Sequence, residues 1–105
     1  MLAEIQFIPI GTGEETKELI AKTVDLIEKS DLDYQLTSMG TIVEGEWDEI
    51  MTLVRKCHEK LFEDASRVVT NIVIDDRKDA KNRLKGNVLD IEYALGRGLK
   101  TGGLT

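Results

Sequence analysis

Hydrophobic and polar residues alternate in four short stretches of the chain, which is the pattern of half-buried β-strands. The four stretches are residues 2–7, 34–39, 41–44 and 67–74. Pro9 ends the first stretch, and a single glycine, Gly40, separates the second from the third. Because alternation on both sides of one turn residue is typical of a tight hairpin, the second and third stretches predict paired antiparallel strands.

Three other segments carry apolar residues at the 3.6-residue spacing of amphipathic helices. The second segment has the clearest pattern, and the first is expected to end near residues 30–33. Gly86 lies in the middle of the third segment and lowers its helix propensity. In chain order, the apolar residues of the three predicted helices are Leu19, Ile20, Val24, Leu26 and Ile27, then Ile50, Leu53, Val54, Cys57 and Leu61, then Leu84, Val88, Ile91 and Leu95.

The order of these elements is βαββαβ followed by a third helix, and this order is typical of the ferredoxin-like α+β fold. The fold consists of a four-stranded antiparallel sheet with helices on one face. We therefore predict a single domain over residues 1–95, with a C-terminal helix as its last element. Residues 96–105 contain four glycines and few residues to bury, so this segment is predicted to be a flexible tail.

The face of the sheet away from the helices, called the open face below, is predicted to mix polar and apolar side chains. This surface is too apolar to lie bare in water and too polar for a simple core. Packing of the sheet against a second subunit would cover it, so we expect an oligomer of at least two copies, in which the polar residues meet each other or a ligand. The predicted residues of the open face are Glu4, Gln6, Gln35, Thr37, Met39, Ile42, Glu44, Val69, Asn71 and Val73.

Composition narrows the class of protein and of partner. The 105 residues are 41% hydrophobic and carry a net charge of −6, which suits a folded domain that repels nucleic acid. No apolar run reaches the roughly 18 residues of a membrane span, and the N-terminal residues have no basic segment typical of a signal peptide. The lone Cys57 cannot form an internal disulfide. These features together favour a cytoplasmic protein without a membrane partner.

Catalytic and metal-binding patterns are scarce in this sequence. His58 is the only histidine and lies on the flank of the second helix stripe, where a satisfied, half-buried role is favoured over ligand contact. Cys57 lies on the stripe itself, so a core role is favoured over a nucleophilic one. One histidine and one cysteine cannot supply a nucleophilic triad or a zinc site. The sequence therefore predicts no catalytic residue and no metal ligand.

Several polar residues have both a structural and a functional interpretation. The charged run 75–79 is either a solvated loop or a contact for a cationic ligand. Glu4 and Glu44 either pair with groups across a subunit interface or bind a ligand. Trp47 is interpreted as a packing anchor in preference to a stacking platform.

Several short motifs together resemble the thiamine-binding protein family. They are Ala3-Glu4, Pro9-Ile10-Gly11, Met39-Gly40-Thr41, Val43-Glu44-Gly45-Glu46 with Asp48-Glu49, and Val68-Val69-Thr70 leading to Ile74-Asp75-Asp76-Arg77. The resemblance covers about residues 2–95. It implies a ferredoxin-like fold, dimers of sheets that often form tetramers, and non-catalytic binding of thiamine or its hydroxymethylpyrimidine moiety.

The residues of the open face are chemically compatible with such a ligand. Glu44 or Glu4 would accept a hydrogen bond from the pyrimidine amine, and Thr37 and Asn71 would serve the ring nitrogens. Met39 and Ile42 would pack on the ring face. Glu44 and Thr37 are the expected main polar contacts, with Glu4, Gln6 and Asn71 in support. The resemblance implies no cofactor other than thiamine as a bound ligand. A structural or regulatory oligomerising module is the second hypothesis, and an enzyme is the third.

Overall fold

The computed structural model describes residues 1–103, and its single sheet has the strand order β2-β3-β1-β4. The strands are β1 (Leu2–Pro9), β2 (Asp33–Leu36), β3 (Thr41–Glu44) and β4 (Val68–Asp75). The helices are α1 (Thr16–Lys29), α2 (Trp47–Leu61) and α3 (Arg83–Leu95). All three strand pairings are antiparallel. The predicted α+β, ferredoxin-like fold is confirmed.

Helices α1 and α2 cover one face of the sheet and form the core with it. The buried core residues alternate along the strands and recur on the inner sides of both helices. They are Ala3, Ile5, Phe7, Leu19, Ile27, Val43, Ile50, Leu53, Cys57 and Leu61. Helix α2 begins with a capping box, in which the Glu49 side chain accepts a hydrogen bond from the backbone N–H of Glu46 at 2.9 Å.

The hairpin between β2 and β3 is shorter than the sequence predicted. The prediction extended the first hairpin strand to Met39, but β2 ends at Leu36. The backbone N–H of Thr37 donates to the carbonyl of Gly40 at 2.8 Å, and the Thr37 hydroxyl donates to the same carbonyl at 2.9 Å. Because these bonds close a turn at Thr37, the alternating pattern beyond Leu36 is not strand. Gln35 and Glu44 lie on the open face as predicted, whereas Thr37 lies in the turn.

Gly40 is required where the hairpin turn approaches β1. Its φ is +156°, and a β-carbon built there would lie 2.7 Å from the backbone carbonyl oxygen of Ile5. A backbone atom cannot move away as a flexible side chain can. We expect Gly40→Ala to lower the free energy of unfolding by about 1–3 kcal/mol in urea denaturation. Gly11→Ala is the comparison, because Gly11 also has a positive φ, +78°, but nothing lies within 4 Å of the added carbon, so it shares the backbone strain without the clash. Equal stabilities of the wild type and Gly40→Ala would contradict the close approach.

Helix α3 lies apart from the two core helices and is held at its N-terminus. Leu84 is buried. The Glu44 carboxylate on β3 caps the helix through both of its oxygens, which accept hydrogen bonds from the backbone N–H groups of Arg83 at 2.8 Å and Leu84 at 3.0 Å. Toward the C-terminus, Ile91 and Leu95 of the predicted stripe are exposed. The predicted third helix is thus confirmed, but only its first turns pack against the sheet.

The segment after α3 begins with Gly96 in the left-handed conformation. The backbone N–H of Leu99 then donates to the Glu92 carboxylate, and Gly102 lies close to the side-chain amide of Gln35. The flexibility expected for 96–105 stays a prediction, and residues 104 and 105 lie outside the described residues.

Candidate functional site

Glu4 occupies the middle of the open face. It lies on β1 opposite Ile42 of β3 on one side and Val73 of β4 on the other. Its carboxylate is exposed and has no hydrogen-bond or ion-pair partner within residues 1–103. A free carboxylate between apolar side chains can accept hydrogen bonds from an amine or attract a cation.

Two residues along β1, an amide pair continues the polar line across the face. Gln6 and Asn71 are direct cross-strand partners, and the Asn71 amide donates to the Gln6 side-chain oxygen at 3.3 Å. The Gln6 amide in turn donates to the backbone carbonyl of Met39 at 3.0 Å. The Met39 side chain is 72% exposed beside this pair. The structure therefore brings Glu4, Gln6 and Asn71 together on the open face, as the sequence predicted. Met39 is not a strand residue as predicted, because β2 ends at Leu36, and it reaches this group from the hairpin turn.

Glu44 lies at the end of the sheet away from Gln6, diagonally next to Glu4 on the neighbouring strand. It is opposite Leu2, four residues along β1 from Gln6, which corresponds to a separation of about 13 Å along the strand. Both of its oxygens already accept hydrogen bonds from the first turn of α3. Glu44 also lines a cavity of about 470 Å³ between β2 and α3, together with Asp33, Gln35 and Lys85. Its position suits a structural role at that cavity.

Thr37 is also engaged by its own surroundings. Besides the bond to Gly40, its hydroxyl accepts a hydrogen bond from the backbone N–H of Met39 at 3.1 Å. Thr37 lines a cavity of about 200 Å³ with Gln6, Met39 and residues of α1. A ligand that binds the Thr37 hydroxyl would compete with these two hydrogen bonds of the turn.

The charged run after β4 contributes to a third, small cavity. Asp75 and Arg77 line a space of about 70 Å³ with Glu44 and Arg83. The Arg83 guanidinium pairs with Asp90 of the same helix at 3.1 Å, so the Arg83 side chain runs along α3. Sequence reasoning missed Asp33 and Arg83, although the position of Asp33 opposite Glu44 follows from the hairpin register.

His58 and Trp47 have structural surroundings. The His58 ring is half-buried, lies 2.6 Å from the Thr70 hydroxyl through Nε2, and makes edge-to-face contacts with Phe7 and Phe62. The favoured interpretation of His58 as a satisfied histidine agrees with these contacts. Trp47 begins α2 and is 53% exposed, so its side chain is only partly packed.

Cys57 is completely buried, and burial raises the pKa of its thiol to about 11. Since the thiolate is the reactive form, the native protein at pH 8 should resist alkylation. We expect iodoacetamide to label Cys57 at least 100 times more slowly in buffer than in 6 M guanidinium chloride, as followed by intact-mass spectrometry. Rapid labelling of the folded protein would contradict the core position of Cys57.

Two absences hold for the residues that the structure describes. Residues 1–103 contain no group of three or more histidine, cysteine, aspartate or glutamate side chains placed to hold a metal ion. None of the helices in the same range is long and apolar enough to cross a membrane.

The fold and the polar line on its open face define the class of the protein. It is a small ferredoxin-like domain with a candidate small-molecule site on the uncovered face of its sheet. The chain belongs to the thiamine-binding protein family, whose sequence profile matches residues 3–92.

Relatives and solved structures agree with this assignment. UPF0045 protein YqgV of Bacillus subtilis is 36% identical over 102 residues, which cover 90% of this chain and 96% of the relative. UPF0045 protein MJ1052 of Methanocaldococcus jannaschii is 34% identical over 85 residues, covering 81% and 85%. The crystal structure of that protein aligns with a TM-score of 0.74 at 32% identity, covering 92% of this chain and 96% of that one.

A structure from Thermotoga maritima, described as a candidate thiamine biosynthesis or salvage protein, aligns with a TM-score of 0.77. It is 24% identical and covers 86% of this chain and 96% of its own, so it supports the fold alone. The family is named for binding, and the names of the UPF0045 relatives give no catalytic activity.

Proposed function

We propose that this protein binds thiamine or its hydroxymethylpyrimidine moiety, without catalysis, on the open face of the sheet near an interface between two copies of the chain. The observation that carries the proposal is the free carboxylate of Glu4, set between Ile42 and Val73 and next to the Gln6–Asn71 pair. Family membership directs the choice of ligand.

The chemistry of an aminopyrimidine fits this arrangement. Its exocyclic amine donates hydrogen bonds, and the Glu4 carboxylate is an acceptor without a partner of its own among the described residues. The ring nitrogens accept hydrogen bonds, which the amides of Gln6 and Asn71 can donate after modest rotation. Ile42 and Met39 offer apolar surface to the ring. The thiazolium of thiamine is cationic, and a net charge of −6 favours its approach.

A second copy of the chain would enclose this site. In a single chain the open face leaves Val73 65% exposed and Val69 37% exposed. Packing of two sheets buries such residues and removes water from a ligand between them. A homodimer or homotetramer of the 11.8 kDa chain in the cytoplasm is therefore part of the proposal.

A thermal-shift series tests the proposed ligand class. Thiamine, thiamine phosphates and hydroxymethylpyrimidine would each be added at 1 mM to the wild-type protein. A ligand that binds only the folded state raises the melting temperature, and about 2.7 kcal/mol of stabilisation is expected when its concentration is 100 times Kd. No shift and no calorimetric heat with any of these compounds would refute the ligand assignment.

The second candidate function is a structural or regulatory oligomerising module. The exposed apolar residues of the open face support it, because they favour self-association whether or not a ligand is present. Oligomers that form normally in a protein without response to thiamine compounds would favour this module.

A further inference from the structure

The cavity between β2 and α3 carries charged groups of both signs without partners. It measures about 470 Å³, and both Asp33 of β2 and Lys85 of α3 line it. These two side chains are exposed, and neither makes a hydrogen bond or an ion pair within residues 1–103, with the other or with any third group. The side-chain amide of Asn82, just before α3, lines the cavity and also has no hydrogen-bond partner in that range. Three polar groups from two sides of one space are therefore available to a ligand.

The rest of the cavity wall is part apolar and part polar. Leu32, just before β2, and the buried Leu84 of α3 supply apolar surface. The Gln35 nitrogen donates to the backbone carbonyl of Leu36 at 2.9 Å, and the Gln35 side-chain oxygen can accept a hydrogen bond from a ligand. Apolar walls with a few polar groups, in a cavity of this size, are typical of a small-molecule site.

The charges of the cavity restrict the kind of ligand. A metal ion needs several oxygen ligands, but both oxygens of Glu44 already accept hydrogen bonds from the backbone of α3. Among the described residues that line the cavity, Asp33 is then the one carboxylate available to a metal ion. Two carboxylates repel a simple anion, and the Lys85 ammonium repels a simple cation. A molecule with both an ammonium and a carboxylate complements these groups.

We propose that the cavity between β2 and α3 binds a free amino acid with an apolar side chain. The Asp33 carboxylate and the Gln35 oxygen accept hydrogen bonds from the ammonium of the ligand. Lys85 and the Asn82 amide donate hydrogen bonds to its carboxylate, and the flexible stem of Lys85 lets the charge adjust to the ligand. The side chain of the amino acid packs against the apolar part of the wall.

Such a ligand would join α3 to the sheet. Asp33 lies directly opposite Glu44 in the β2–β3 pairing, and Glu44 caps the first turn of α3. A bound amino acid would add a second link between β2 and that turn, and its ammonium would offset the repulsion between the two opposed carboxylates. Binding should therefore favour the docked position of α3. The site does not rest on the proposed thiamine function, in which Glu4 of β1 makes the main contact.

Matched compounds test the class of ligand. Leucine, methionine and phenylalanine would each be compared at about 5 mM with its own amide, which keeps the ammonium and lacks the carboxylate. We expect at least one of the amino acids to raise the melting temperature and to slow hydrogen exchange in the first turns of α3. In calorimetry it should bind at least ten times more tightly than its amide. No response to any of the three amino acids, or equal affinity for an amino acid and its amide, would overturn the proposal.

Two charge removals test the contacts. Asp33→Asn and Lys85→Gln should each raise the Kd of the responding amino acid at least tenfold, and Lys85→Gln should leave the Kd of its amide unchanged. Asp31→Asn and Lys81→Gln make the same changes at exposed positions that do not line the cavity, and they should leave Kd within about twofold of the wild type. Unchanged affinity in Asp33→Asn or in Lys85→Gln would overturn the proposal. Both variants keep Glu4, so thiamine titrations of the same samples distinguish failure of this site from failure of the proposed function.

Discussion

Glu44→Ala is expected to release the first turn of α3 from the sheet. The Glu44 carboxylate accepts hydrogen bonds from two backbone N–H groups, those of Arg83 and Leu84, which have no other acceptor in the described chain. Removing it leaves both donors and the positive end of the helix dipole without a partner. Hydrogen bonds to charged groups contribute about 1.5–3 kcal/mol each, and solvent screening at the half-buried Glu44 reduces their sum, so the docking of α3 should weaken by about 2–4 kcal/mol.

Hydrogen exchange measures this local effect. In Glu44→Ala, amides in the first turns of α3 should exchange about 30 to 1000 times faster, the factor that corresponds to 2–4 kcal/mol. Amides of α1 and α2 should change much less, because the hydrogen bonds of the Glu44 carboxylate go to α3. Glu44→Gln keeps one acceptor and should show an intermediate effect. Glu46→Ala is the matched control, since Glu46 caps α2 instead. Unchanged protection of α3 in Glu44→Ala would disprove the capping role.

The cap that Glu44 provides for α3 could not be predicted from the sequence. Helix α2 could be predicted because its stripe and its Glu46–Glu49 capping box lie within a few residues of one another. Helix α3 begins after Asn82, which has a left-handed backbone and makes no side-chain cap. Its cap comes from Glu44, about 40 positions earlier in the chain. Only the folded arrangement of β3 and α3 reveals that partner.

The hairpin illustrates a second limit of periodicity. Alternation placed Gln35 and Glu44 on one face correctly, because side-chain direction follows from strand period alone. The same alternation extended the strand through Thr37, where hydrogen bonds to Gly40 turn the chain. The two-residue alternation along β1 and β4 also predicted that Glu4, Gln6 and Asn71 lie on the same face. That Gln6 and Asn71 lie opposite each other depends on the pairing of β1 with β4, which alternation does not specify.

Glu4→Gln is expected to weaken binding of hydroxymethylpyrimidine by about 10- to 100-fold in calorimetry. The wild-type carboxylate can accept hydrogen bonds from the amine through two charged oxygens, whereas the amide offers one neutral acceptor and a competing donor. A loss of that size corresponds to about 1.4–2.7 kcal/mol, the range expected when a charged partner is removed. The melting temperature of the free protein should hardly change, because Glu4 is exposed and has no partner within residues 1–103.

Two comparison variants locate the effect on the open face. Glu59→Gln removes the same charge from the exposed surface of α2 and should leave Kd within about twofold of the wild type, which separates local contact from net charge. Asn71→Ala should weaken binding less than Glu4→Gln, because Asn71 already shares its amide with Gln6. Wild-type affinity in Glu4→Gln together with a large loss in Glu44→Gln would move the ligand to the cavity between β2 and α3. In that case the aminopyrimidine would depend on the carboxylate that caps α3, and ligand binding and helix docking would be coupled through Glu44.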